Sequence, residues 1–280
     1  MEAGPVTDTV AVGGVDLACW QGGAGQPLLL LHETAAGAAV WRPLIEELGP
    51  DVRAIAFDRR GWGRSSAPEP YLRTTIEEQS EDAAGVLAQL GAEGAVACGS
   101  GLGAVIALDL LVRRPGLLRA AVLIEPPLLA FLPDATEGLS GDRQTIEQAL
   151  RDAGVAGALE LYLGGGLPFL GPGAERIPEP ASGAARGRAL SLFAELATVS
   201  DWPIRPAQLH EVDVPSLIVT AASTLPLLEQ AAQRLAAQLA SSTLISVGGA
   251  GLPHVDAAAE LAAALRDLLR SAAARHPAGR

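Results

Sequence analysis

The sequence predicts an α/β protein, with a mostly parallel central sheet, helices on both faces and an inserted helical cap. Three observations predict it. Short apolar runs alternate with amphipathic helical stretches in both the first and the last third of the chain, which is the pattern of strands joined by crossover helices. Residues 28–31 are four consecutive leucines, as expected of a strand buried on both faces. Residues 95–112 read as a strand, a tight glycine turn (Gly99-Ser100-Gly101-Leu102-Gly103) and an apolar helix.

In order along the chain, residues 10–15 and 17–20 form a hairpin about Gly13-Gly14. The strand 28–31 ends in His32-Glu33-Thr34 and is followed by a helix near 40–48 with Trp41, Leu44, Ile45 and Leu48 at helical spacing. A strand at 53–57 leads into the loop beginning at Asp58. A helix over 75–90 is opened by Thr74 or Thr75, with Glu77 and Glu78 in its first turns. After the glycine turn and its helix comes a strand at 120–124, ending in Glu125. Alternation lapses from about 128 to 210, where helices are expected at 144–151 and 189–197. It returns with a strand at 216–220, a helix at 226–239, a strand at 243–247, the loop Gly248–His254 and a long helix over 256–274. The expected organisation is a core over 1–127 and 211–274, a cap over 128–210 and a frayed tail over 275–280.

Composition narrows the function. The chain has 280 residues, 49% of them hydrophobic but only 4% aromatic, so its core must be largely Ala, Leu and Val. Its net charge of −12 argues against nucleic acid or an anionic membrane as partner. All 20 basic residues are arginine, which excludes a Schiff-base or phosphate-loop lysine. Two cysteines make no disulfide framework. There is no apparent signal peptide and no apolar run near the ~20 residues of a membrane span, so a cytoplasmic protein is expected.

In a parallel sheet the site lies at the carboxyl ends of the strands, which directs attention to the loops beginning at His32, Asp58, Gly99, Glu125, Ala221 and Gly248. Gly99-x-Gly101-x-x-Ala104 also fits a dinucleotide-binding turn, with Glu125 near the ~20-residue spacing of a ribose-binding acid. That fingerprint belongs after the first strand of a domain, and here three or four strands precede it.

Taken together, "LLLLHETAAGAAVWRPL", "FDRRGWGRSSAPEP", "CGSGLGAVIALDLLVRRP", "DVPSLIVTAAS" and "VGGAGLPHVDAAAELAAALRDLL" resemble, in order, the signature loops of the α/β-hydrolase superfamily. The resemblance implies an oxyanion loop at His32–Thr34 and a nucleophile elbow at residues 99–103. It also implies a catalytic triad of nucleophile, histidine and acid. In this register the nucleophile position is Gly101, the histidine position is Gly251, and the stretch after the seventh strand carries no carboxylate. His254 matches a second, usually structural histidine.

The candidates for chemistry are therefore Glu125, His254 and Glu33 as proton carriers. Glu125 lies at the strand end where some relatives place the acid, and Glu33 could face it as a paired carboxylate of raised pKa. Thr34, Gly101, Leu102, Ser100 and His32 would line the oxyanion pocket, with the Leu102 and Thr34 N–H groups as donors and Gly101 leaving a space where a hydroxyl would be. Ser100 is also a displaced-nucleophile candidate, and His32 is normally a loop brace. The expectation is an enzyme without the usual triad, acting by acid–base or electrostatic catalysis as a cyclase, isomerase, lyase or non-covalent hydrolase. Its expected partner is a small apolar or polyketide-like molecule, with a homodimer compatible, and with no cofactor and no metal. The alternatives are a non-catalytic binding protein and an ordinary hydrolase using displaced residues, Glu125 and His254.

Overall fold

A computed structural model of the chain describes residues 8–129, 132, 135–164, 166–167, 188–196, 198–249 and 252–275. Eight strands form one sheet: β1 (Asp8–Val12), β2 (Val15–Gly22), β3 (Gln26–Leu31), β4 (Val52–Phe57), β5 (Ala95–Ser100), β6 (Leu118–Ile124), β7 (Ser216–Ala221) and β8 (Ser242–Val247). Their order is β1-β2-β4-β3-β5-β6-β7-β8. The β1–β2 hairpin turns on Gly13-Gly14 and is antiparallel to β4, and every later pairing is parallel. The glycine pair supplies the positive φ such a tight turn requires.

Side chains alternate across β3 with a period of two. Leu29 and Leu31 join the apolar cluster under α2 (Ile76–Gln89), α3 (Leu102–Arg113) and α7 (Pro226–Gln238). Leu28 and Leu30 face the opposite cluster, formed with α1 (Arg42–Leu48) and α9 (Ala258–Arg275). Thr75 caps α2, its hydroxyl accepting from the Glu78 N–H at 3.1 Å, and Glu77 and Glu78 complement the helix dipole. Burial of both faces and the crossover helices together fix the sheet's position in the chain.

Two helices differ from expectation. The one expected at 144–151 is part of α4 (Thr136–Leu163), which continues through a kink at Gly154, where φ is 65° and ψ −167°. The last helix is divided. A short α8 (Pro253–Asp256) is separated from α9 by Ala257, whose φ of −131° breaks the run. Between β6 and β7 also lie α5 (Ala189–Glu195) and α6 (Pro206–His210). Ile146, Leu159, Tyr162 and Leu163 of α4 and Leu192 of α5 pack with Ala35 and Trp62, which lie in the loops after β3 and β4. Helices α4 and α5 thus sit over the ends of β3 and β4. No helix among the described residues is long and apolar enough to cross a membrane.

Candidate active site

Register brings the candidates to one edge of the sheet. Leu31 pairs with Gly99, and Ser100 with Ile124, so His32–Thr34, Gly101 and Glu125 emerge side by side. Gly101 has φ 54° and ψ −122°, the strained elbow geometry, which glycine adopts without the penalty of a side chain. Its N–H donates to the Ile124 carbonyl at 2.9 Å and its carbonyl starts α3. At Gly103 a Cβ would stand 2.0 Å from the Leu31 carbonyl oxygen, so helix and strand approach as closely as this turn requires. Leu102 opens α3, placing its N–H at the positive end of the helix.

The expected space at Gly101 is not open. A Cβ at 101 would lie 2.9 Å from the Glu33 Cβ, so the base of the Glu33 side chain crowds the place of a nucleophile's. Glu33 is 5% exposed, and neither of its carboxyl oxygens has a hydrogen-bond partner. Burial pushes the carboxyl up to about 7, against its own N–H, the nearby Ser100 hydroxyl and the Arg59 charge, all of which favour the carboxylate. Oε2 faces His254 Nε2 at 3.6 Å, beyond hydrogen-bond length but close enough to shorten with a modest shift. His254 is fully buried and its ring packs on Trp41 with centroids 4.4 Å apart. Desolvation lowers its pKa to about 3, and both its nitrogens lack partners. It therefore remains neutral at physiological pH and can share a hydrogen with Glu33, but it does not serve as a base there.

The remaining candidates divide. His32 is a brace: Nε2 accepts the Arg59 N–H at 2.9 Å, so Nδ1 carries the hydrogen and donates to the Glu33 carbonyl at 2.7 Å. Glu125 turns back to β7. Its backbone has φ 44°, and its Oε1 accepts the Ala221 N–H at 3.1 Å. Neither Glu33 nor His254 is hydrogen-bonded to Glu125, so the expected carboxylate pair and the expected Glu125–His254 dyad are not formed. The partner Glu33 meets is His254. Ser100 is buried at the end of β5 beside Glu33. The Thr34 hydroxyl donates to Glu195 at 2.8 Å. Gly251, the second vacated position, lies outside the described residues.

The sequence reading missed three contributors. Trp41 supplies the ring under His254, Tyr162 of α4 approaches Thr34 and Glu33, and Glu195 of α5 gathers donors from two loops and from α2. Tyr162 and Glu195 carry no motif. Trp41 was visible as an apolar helix position, and nothing in its spacing indicated a partner near the other end of the chain. Among the described residues no group of three or more His, Cys, Asp or Glu side chains could hold a metal ion.

Comparison with known proteins agrees with this architecture. The chain is 36% identical over 120 residues to a 2-hydroxymuconate semialdehyde hydrolase of Pseudomonas sp. (strain CF600), covering 42% of this chain and 41% of that one. It is 32% identical over 124 residues to the uncharacterized hydrolase YraK of Bacillus subtilis, covering 44% and 46%. These matches span less than half the length of each curated relative. Among solved structures, an esterase from Thermogutta terrifontis superposes with a TM-score of 0.75 at 22% identity, covering 95% of this chain and 98% of that one, a likeness of fold. The alpha/beta hydrolase family model matches residues 28–264, and the chain belongs to that family.

Proposed function

We propose that this chain is an enzyme of the family that works without a covalent intermediate. Glu33 carries the proton, and the Leu102 and Thr34 N–H groups hold negative charge as it develops on a small, mainly apolar substrate under α4 and α5. The observation that carries the reading is the Glu33 carboxyl: buried, without a hydrogen-bond partner, on a side chain whose Cβ packs against the elbow glycine, and pushed up to about 7. A carboxyl in that range is both a competent base and a competent acid at neutral pH.

The chemistry follows from the geometry. As carboxylate, Glu33 removes a proton from a substrate carbon or from a water attacking the substrate. As carboxylic acid, it returns that proton to the product or the leaving group. His254 stays neutral and steadies the charged form through Nε2. The open end of α3 stabilises an enolate or oxyanion by preorganised dipoles, the usual largest share of such catalysis. Cyclisation, isomerisation, elimination and direct water addition all have this proton balance. Glu125 is assigned to bracing the ends of β6 and β7, and His32 to bracing the loops after β3 and β4.

The test combines two assays. A fluorophosphonate probe and a panel of p-nitrophenyl esters should give neither labelling nor burst, while turnover of a substrate, found through a co-purified ligand, should be lost in Glu33→Gln. Labelling of the wild-type chain would overturn the reading. The unpartnered oxygens of Glu33 and nitrogens of His254 also suit a ligand that is bound and not transformed. That second reading gains if Glu33→Gln weakens ligand binding and no turnover of the ligand is found.

A further inference from the structure

Outside the motif loops, Tyr162 and Glu195 of the inserted segment reach the site, and Glu195 brings the charge. Glu195 ends α5 and is almost wholly buried. Its carboxylate accepts from Arg59 Nη1 at 2.5 Å and Nη2 at 3.3 Å, from Trp62 Nε1 at 2.9 Å, from Gln79 Nε2 at 3.3 Å and from the Thr34 hydroxyl at 2.8 Å. Arg59 in turn donates through Nε to the His32 carbonyl and through its backbone N–H to the His32 ring, both at 2.9 Å. Glu195 therefore grips the residue after Glu33 directly and the residue before it through Arg59. These donors occupy both carboxylate oxygens of Glu195, which assigns them to the loops and not to substrate.

We propose that Glu195 is a positioning residue of the reaction above, clamping the loop on both sides of Glu33 and cancelling the Arg59 charge beside it. The proposal rests on the reading that Glu33 carries the proton. The groups facing Glu33 are Arg59 from the loop after β4, His254 from α8, Ser100 at the end of β5 and Tyr162 from α4. His254 and Tyr162 are neutral at physiological pH, and burial holds both that way. Arg59 is thus the one charged member of that set, and it favours the Glu33 carboxylate. Glu195 is the carboxylate that balances it. Without Glu195 the guanidinium keeps its hydrogen bonds to the His32 carbonyl and to Gln79, and its full charge acts on Glu33.

The experiment is an infrared titration of the protonated carboxyl band, with the Glu33→Gln spectrum subtracted to assign it. The wild-type midpoint should lie at about 7. In Glu195→Gln it should fall by at least about one pH unit, the scale of an opposite charge a few ångströms away. In Arg59→Met/Glu195→Gln, with both charges gone, it should return to the wild-type value or above. The acid limb of kcat/KM should move with the midpoint in each variant, which loosened packing alone would not cause. An unmoved midpoint in folded Glu195→Gln protein overturns the proposal and leaves the reading of Glu33 intact. A wild-type midpoint in the ordinary carboxylate range overturns that reading and the proposal with it. If Glu195→Gln does not fold by circular dichroism, the double variant decides: a midpoint below wild type overturns the proposal, and one at or above it supports the proposal.

Discussion

Replacing Gly101 by serine would restore the family's nucleophile to its usual position, and here it should fail for two physical reasons. The backbone at 101 has φ 54°, a conformation that costs a residue with a side chain about 1–3 kcal/mol. The new Cβ would also meet the Glu33 Cβ at 2.9 Å, a separation that forces one of two buried groups to move. Overpacking of that kind costs about 1–3 kcal/mol. Together Gly101→Ser should lose about 2–6 kcal/mol of stability, measured by urea denaturation with the slope unchanged. It should show neither esterase turnover nor fluorophosphonate labelling, since desolvation, which holds the His254 pKa at about 3, makes that ring too weak a base, and both ring nitrogens of His32 are taken by backbone. A double-mutant cycle isolates the contact. In the Glu33→Gly background, which removes the opposing Cβ, the same serine should cost only the backbone share, a coupling of about 1–3 kcal/mol. Additive losses, or a Gly101→Ser protein as stable as the parent, would refute the packing argument. Ester turnover in that protein would refute the account of the vacated triad.

The pH dependence of stability should carry opposed contributions from the Glu33–His254 pair. The raised Glu33 pKa contributes stability present below about 4.5 and lost as pH rises to about 7, while the lowered His254 pKa contributes stability present above 6.5 and lost as pH falls toward about 3. Between 4.5 and 6.5 the two slopes cancel, so Glu33→Gln should make stability climb with pH across that window and His254→Phe should make it decline, as read from urea midpoints. His32→Ala should cost about 2–4 kcal/mol by leaving the Arg59 N–H and the Glu33 carbonyl unpaired in the interior. Glu125→Gln should keep both turnover and stability because an amide oxygen still accepts the Ala221 N–H, whereas Glu125→Ala should lose about 1–3 kcal/mol. A large fall in kcat for Glu125→Gln would return a proton-carrying role to that residue.

The sheet was legible because its signals are local. A run such as Leu28–Leu31 has to be a strand buried on both faces, and Gly99 to Gly103 has to be a tight turn. Glu33 was also legible as a candidate carboxylate at the end of β3. Its position over Gly101 was not, because that depends on the register of β3 against β5 and on a side-chain torsion that no spacing encodes. Glu125 read as a catalytic acid because a strand-end carboxylate is costly unless paired, and the structure satisfies that cost with a backbone N–H from β7. Glu195 was illegible for a different reason. It closes a seven-residue helix in a segment of weak periodicity, and its five donors come from two loops and a helix far away in sequence. The division of the last helix at Ala257 and the kink of α4 at Gly154 were hidden because small residues leave helical periodicity unbroken.

The packing of His254 against Trp41 has a consequence for the order in which the molecule is built. On the ribosome, β3 and its loop emerge long before α8, so the nascent Glu33 carboxyl faces water and is ionised. Only when α8 and α9 close over the Leu28 face does the ring of His254 arrive, and the pocket becomes dry. That closing step favours the protonated form of Glu33, whose carboxyl burial pushes up to about 7. The same event that completes the fold therefore raises the affinity of the candidate acid for its proton.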